Sequence, residues 1–204
     1  YSGIAKAAAI NESSDTTGVT ATVDENVVLG TDMNNATLGT ATAQANVVLN
    51  GVTIALEGTA NSTDAELAAT RGSTIAALNA KADQTGVTAS DGGNDGGVIL
   101  TAADGRNITL TGVNDVSVYG LADSDTGAAA AIQSQAGFTL TAENANTDIN
   151  ITGGDNTGNG NLANSGLAEG NYESQTAITS STKQEVGGSD GGATTVNTTA
   201  QQLL

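Results

Sequence analysis

Carboxylates are the side chains here best placed for acid–base chemistry, because the sequence has no His and no Cys. Without His there is no His-based triad, imidazole base or imidazole metal ligand. Without Cys there is no thiol nucleophile, zinc thiolate or disulfide. Two carboxylate pairs have spacings that could act on sugars, Asp91 with Asp95 and Asp123 with Asp125. A paired acid and base is the core equipment of glycoside hydrolysis. Sugar sites also use aromatic platforms, and the chain has only four aromatic residues, Tyr1, Tyr119, Phe138 and Tyr172. A perturbed carboxyl needs a dry cleft, which loop positions rarely supply. The pairs are therefore read as solvated turn carboxylates, and no enzyme activity is expected.

Calcium is the better chemical alternative. The loops DGGNDGG at 91–97 and GGDNTGNGN at 153–161 are rich in oxygen donors. Neither fits the 12-residue calcium loop: two positions after Asp155 stands Thr157, where an acid or amide is needed. The glycine–aspartate β-helix repeat fails at Asn156, where its pattern requires Gly. Gly158-x-Gly160-x-x-Ala163 touches a dinucleotide fingerprint, without the βαβ unit or the later acidic partner. No metal and no cofactor is expected. Asn-x-Ser/Thr occurs at Asn11, Asn35, Asn61, Asn107, Asn150 and Asn197, a frequency that Asn- and Thr-rich sequence produces by chance.

Charge narrows the partners. Lys and Arg total 5 against 22 Asp and Glu, a formal net charge of −17 over 204 residues. Such a chain is a poor match for phosphate backbones and is repelled by anionic lipid, so neither nucleic acid nor membrane is an expected partner. Its acidity serves solubility and mutual repulsion. No apolar run approaches the ~18 residues of a membrane span, and no signal peptide opens the chain. It starts at Tyr1 rather than Met, as expected of a fragment or a processed product.

The elements that must position these groups are built from small residues. With 38 % hydrophobic residues and few rings, the core is expected in thin layers of Val, Ile, Leu and Ala. Pro is absent, so turns fall to the 27 Gly with Asn and Asp. One stretch organises the chain and occurs twice. AAINESSDTTGVTA (Ala8 to Ala21) returns as AALNAKADQTGVTA (Ala76 to Ala89), with Asn11/Asn79, Asp15/Asp83 and TGVTA identical. Each copy reads as a helix end, a turn and a strand. Gly18 and Gly86 supply the permissive backbone after each helix.

In chain order, Ser2 to Ile10 is a helix capped by Ser2. Val19 to Val23 and Val27 to Leu29 are strands, and Thr31 to Asn46 is a loop. Val47 to Leu56 is a hairpin turning at Asn50-Gly51, the alternative being a strand bulged at Gly51. Thr63-x-x-Glu66 is a capping box opening a helix that carries Leu67, Ile75, Leu78 and Ala82, broken or bent at Gly72. Gly86 to Ser90, Val98 to Ala102 and Asn107 to Leu110 are strands, the last two forming a hairpin around Asp104-Gly105. Val116 to Tyr119 is a strand, and Ala128 to Ile132 a helical turn or strand entry. Phe138 to Ala142 is expected to pair with Asp148 to Gly153. Gly153 to Ser165 is a loop. Thr176 to Thr199 is a loose strand or linker.

The repeat, with four other segments, resembles the bacterial flagellin family. That family carries an AIN…D.TGV.A stretch leading into its variable outer region. Asn50 to Ile54, NGVTI, is similar to the family's ING signature. Thr63 to Ala68, TDAELA, resembles the helix that follows it, and Val98 to Thr111, VILTAADGRNITLT, the closing hairpin. Gly166 to Gly170, GLAEG, resembles a stretch near the end of the outer region. Apart from Gly166 to Gly170, the matches cover roughly residues 1–22 and 50–112. Arg71-Gly72-Ser73 stands as an insertion between TDAELA and IAALN, and Thr22 to Asn46 matches no part of the pattern.

The expected fold is α+β and β-dominated, short helices with β-hairpins in two related sub-units. Three regions are expected: 1–46, a helix–strand unit and loop; 47–170, an outer domain of helix and hairpins; and 171–204, a Ser/Thr/Gly-rich strand or linker. Gly18, Gly51, Gly86 and Gly105 are the expected structural turns. The resemblance implies an extracellular structural part of the flagellar filament. Its partners would be other flagellin subunits, reached through terminal helices outside this chain, and possible surface glycans on Ser and Thr. The isolated chain would be monomeric. A filament-cap or hook-associated protein, which shares the ING unit, and a secreted adhesin or glycan-binding β module are the alternatives.

Overall fold

The computed structural model of the chain describes residues 2–34, 44–58, 63–112, 116–122, 131–144, 147–153, 162, 165–173, 184–187 and 193–196. The fold is α+β and β-dominated. Contacts divide the chain into two units, Tyr1–Glu12 with Ala21–Leu140, and Ser13–Thr20 with Thr141–Leu204.

The first unit opens with α1 (Gly3–Asn11), whose cap is Ser2; its hydroxyl accepts from the Ala5 amide at 3.2 Å. Then come β2 (Asn26–Val28), β3 (Gln44–Leu49) and β4 (Val52–Glu57). β3 and β4 form the expected hairpin, Leu49 opposite Val52. Its two turn residues both have positive φ, Asn50 at 46° and Gly51 at 84°. A turn of that hand matches the twist of the strands it joins. Strand β3 starts at Gln44, so the expected loop to Asn46 ends sooner.

Helix α3 (Asp64–Asn79) follows, capped by Thr63, which accepts from the Glu66 amide at 3.3 Å and donates to its carboxylate at 3.2 Å. It runs unbroken through Gly72, contrary to expectation. A helical Gly costs only ~1 kcal/mol, and the buried stripe Leu67, Thr70, Arg71, Thr74 and Leu78 outweighs that. Ser73 adds bonds from its hydroxyl to the carbonyls of Thr70 and Glu57.

Beyond α4 (Ala82–Thr85) lie β5 (Thr88–Asp91), a helical turn α5 (Gly93–Gly96), β6 (Val98–Ala102) and β7 (Ile108–Gly112). Here strand pairing departs from expectation. β6 sits between β2 and β5 in one sheet, whereas β7 sits between β3 and β8 (Ala131–Ser134) in another. Asp104-Gly105 is therefore a crossing between sheets and not a hairpin turn. The turn chemistry itself holds, with Gly105 at φ +71°. Packing explains the crossing: Gly105 lies so close to Val23 and the Asp24 carbonyl that a Cβ there would come within 2.6 Å of both. Val116 to Tyr119 is not a strand. Residues Ser117–Tyr119 form a 3-10 turn closed by Gly120 at φ +78°. The turn buries Tyr119 and aims the Gly120 carbonyl at the amides of Val98 (2.7 Å) and Thr31 (3.2 Å).

The two sheets have the orders β2-β6-β5 and β4-β3-β7-β8. Helix α3 packs on the outer strands β4 and β5. Buried Asn26 stitches the other two outer strands, donating from Nδ2 to the Ser134 carbonyl at 3.0 Å. Val47, Leu49, Leu56, Leu78, Val98, Leu100, Ile108 and Leu110 fill the enclosed core. Helix packing or side-chain bonds thus reach the outer strands of these two sheets. Three glycines make a further closure possible. A Cβ on Gly30, Gly97 or Gly120 would stand 2.3, 2.3 or 2.8 Å from atoms of the neighbouring loops.

The second unit contains α2 (Ser14–Thr17) and two ribbons, β10 (Ile149–Ile151) with β11 (Gly170–Tyr172), and β12 (Gln184–Gly187) with β13 (Ala193–Val196). Its described residues between 13 and 20 and between 141 and 173 are half-buried or exposed. Strand β9 (Phe138–Ala142) pairs with β1 (Val19–Val23), and β10 with β11, so the expected pairing of 138–142 with 148–153 does not occur. Alternation of apolar with polar residues in both segments marks a strand but carries no information about its neighbour. No helix among the described residues is long and apolar enough to cross a membrane.

Candidate functional site

Charged side chains converge at one corner of the first unit. Arg71 is 5 % exposed and pairs through Nε with Asp91 Oδ1 at 2.7 Å. A buried guanidinium needs such a partner, since an uncompensated buried charge is strongly unfavourable. Arg71 Nη1 also donates to Asn94 Oδ1, and Asn94 Nδ2 donates to Asp64 Oδ1 at 3.1 Å. Asp91 accepts as well from the Gly93 amide at 2.8 Å. The loop that Arg71 holds in turn holds a second segment: the Asn94 carbonyl accepts from the Met33 amide, and Asp95 from Asn34 Nδ2. Arg71 thus latches 91–97, and 91–97 latches 32–34.

The hydrogen bond from Arg71, then that from the Gly93 amide, holds the Asp91 carboxyl below its ordinary value. That is the wrong direction for a proton donor near neutrality, where a general acid has a raised value. Asp95 is engaged by Asn34 instead of by Asp91. Among the described residues, no group of three or more acidic side chains is arranged to hold a metal ion. Asp123, Asp125, residues 154–161, Ala163, Asn35, Asn61 and Asn197 lie outside the described residues. Of the other sequon asparagines, Asn11 is engaged with Ala21, Asn107 has a buried Oδ1, and Asn150 is exposed on β10.

The four turn glycines all have positive φ, Gly18 at 64°, Gly51 at 84°, Gly86 at 69° and Gly105 at 71°. Gly18 and Gly86 close α2 and α4, each donating to the residue four back at 2.7 Å. Arg106, paired with Asp104, lies over Gly86 so closely that a Cβ would meet its guanidinium at 2.2 Å.

The repeat proves to be one geometry built twice. Asn11 Oδ1 accepts from the Ala21 amide at 2.7 Å and its Nδ2 donates to the Ala21 carbonyl at 2.9 Å. Asn79 does the same to Ala89, at 2.7 and 2.9 Å. Thr17 and Thr85 repeat a second pattern, bonding the carbonyl four back and the amide two ahead. The carboxamide therefore stands in for a neighbouring strand. Ala89 faces Leu100 across the ladder, and its own N–H and C=O are taken by Asn79 on the opposite side. An antiparallel residue directs both groups either towards its partner or away from it.

Arg71 and the amide clamps are what residue-by-residue reading missed. The stripe Leu67, Arg71, Thr74 and Leu78 has the spacing of one helical face, and a lone Arg within it is a legible sign of a buried ion pair. No protein-family model matches the sequence.

Proposed function

We propose that this chain is the surface-exposed outer region of a bacterial flagellin, a structural and extracellular part of the motility filament with no catalytic role. The observation that carries the proposal is the doubled segment, AIN…D.TGV.A in Ala8 to Ala21 and ALN…D.TGV.A in Ala76 to Ala89. Support comes from its use as one conformational unit, with the Asn11 and Asn79 clamps and the Gly18 and Gly86 caps in equivalent places. An acidic surface of net charge −17 suits a spacer that must stay dissolved and unattached. Other flagellin subunits would be met through regions outside this chain. Surface glycans would sit on exposed hydroxyls.

Antibodies against the chain, applied to the cells that produce it and viewed by electron microscopy, should decorate filaments along their length. Label confined to filament tips or hooks would support a cap or hook-associated protein instead. Label on the cell wall without filaments would overturn the proposal and favour an adhesin, for which a glycan array is the direct assay.

A further inference from the structure

We infer that Asn50 is a covalent modification site that the fold holds shut, and that its reaction rate follows the fraction of time its carboxamide is released. Asn50-Gly51 brings a carboxamide next to a backbone nitrogen that no neighbouring Cβ shields. In an open chain the Gly51 nitrogen, its proton lost to hydroxide, bonds to Asn50 Cγ. Nδ2 leaves as ammonia after taking a proton from solvent. Water then opens the cyclic imide at either carbonyl, leaving aspartate or isoaspartate. No electron changes hands, and the only reagents are hydroxide and water.

Solvent reaches this turn. Gly51 is exposed, and a Cβ built there meets nothing within 4 Å. What stops the reaction is the hold on the carboxamide. Asn50 Oδ1 accepts from the Thr109 amide at 2.8 Å and from its hydroxyl at 3.1 Å, and Nδ2 donates to the Thr85 carbonyl at 3.0 Å. Rotating Cγ towards the Gly51 nitrogen breaks all three bonds. The product cannot resume the same position. Aspartate has no N–H for Thr85 and sets a carboxylate against its carbonyl. Isoaspartate adds a methylene to the backbone of a two-residue turn and shifts the β3–β4 register. The chemistry holds whether or not the chain serves in a filament.

The test is parallel incubation of the purified chain in mildly alkaline buffer with and without urea. Peptide mass mapping follows the gain of about one dalton at Asn50. The native rate is expected to be about 100-fold lower, the product of three hydrogen bonds that each bias the carboxamide by a factor of about five. Thr109→Val should raise the native rate several-fold beyond what its unfolded fraction, taken from its urea midpoint, accounts for. Its rate in urea should be unchanged. Equal rates for the wild-type chain in the two solvents would overturn the inference. So would a Thr109→Val acceleration no larger than its unfolded fraction, because protection would then belong to the fold as a whole.

Discussion

Replacing Gly97 by Ala should cost more stability than any other single methyl added to the glycines of the first unit. Gly97 has φ +59° and ψ −134°, a region that side chains with a Cβ avoid. Holding a residue there costs of order 1–3 kcal/mol. The new Cβ would also lie 2.3 Å from the Gly120 carbonyl oxygen and 2.5 and 2.8 Å from the Thr31 oxygen and nitrogen. All three are backbone atoms, so no side chain can swing aside, and overpacking of that kind costs roughly 1–3 kcal/mol. Separating the loops also strains the bonds that Gly120 accepts from Thr31 and Val98, each worth ~1 kcal/mol. Against this, Ala narrows the unfolded ensemble by ~0.4–1 kcal/mol. The balance is a loss of about 4 kcal/mol. At a urea slope of ~2 kcal/mol/M the midpoint falls by about 2 M. Gly72→Ala is the matched control: it is exposed, within α3, and its Cβ meets nothing within 4 Å. It should gain ~0.5–1 kcal/mol. Urea titration by circular dichroism reads both. If the two midpoints move together, the contact of the three loops through bare backbone is wrong.

Removing a carboxamide clamp should be felt locally and strongly. Asn79→Ala leaves the Ala89 amide and carbonyl unpaired and should cost about 1–3 kcal/mol by urea titration; Asn79→Asp, which keeps the acceptor and loses the donor, should fall between. Acid should release the Arg71 latch. Asp91 is held below its ordinary 3.8, chiefly by Arg71, so its contribution is full above that value and disappears as pH falls through the lower folded value. Asp91→Asn should therefore flatten stability against pH in that window while lowering it at neutrality; an unchanged acid limb would show that Asp91 is not its source. The chain should remain monomeric by light scattering near millimolar concentration at low salt. Net charge −17 opposes association, and α3 and the Asn26–Ser134 tie partly cover the outer strands of the two larger sheets. A low-salt dimer or fibre would contradict this, whereas association only at ~0.5 M salt would trace solubility to charge.

Local chemistry was legible where a residue acts on its own neighbours. Ser2 and Thr63 as caps, Asn50-Gly51 as a turn and the left-handed Gly18, Gly86 and Gly105 follow from steric and hydrogen-bonding preferences that operate within a few residues. Beyond the Asn50-Gly51 hairpin, strand partnership was not legible. Val98 to Ala102 and Ile108 to Gly112 flank a tight turn, yet each pairs with other strands in a different sheet. The same limit hid the 3-10 turn at Ser117–Tyr119. β-branched residues favour strand there, but Gly120 must place its carbonyl between Thr31 and Val98, residues 89 and 22 positions away. At the charged corner, Asp91 and Asp95 were visible as a pair. Arg71, which decides what Asp91 can do, stood 20 positions upstream.

The carboxamide clamp also bears on how such a chain could grow. A segment copied into a new place normally arrives with a raw flank of unbonded peptide groups, and its host must evolve a cover. The segment ending at Ala21 or Ala89 carries its own cover, an amide ten residues earlier that bonds the N–H and C=O of that alanine. Duplication of such a segment brings in no fresh adhesive margin at that position. The two copies could then diverge in helix length, from the nine-residue α1 to the 16-residue α3, while each keeps its clamp.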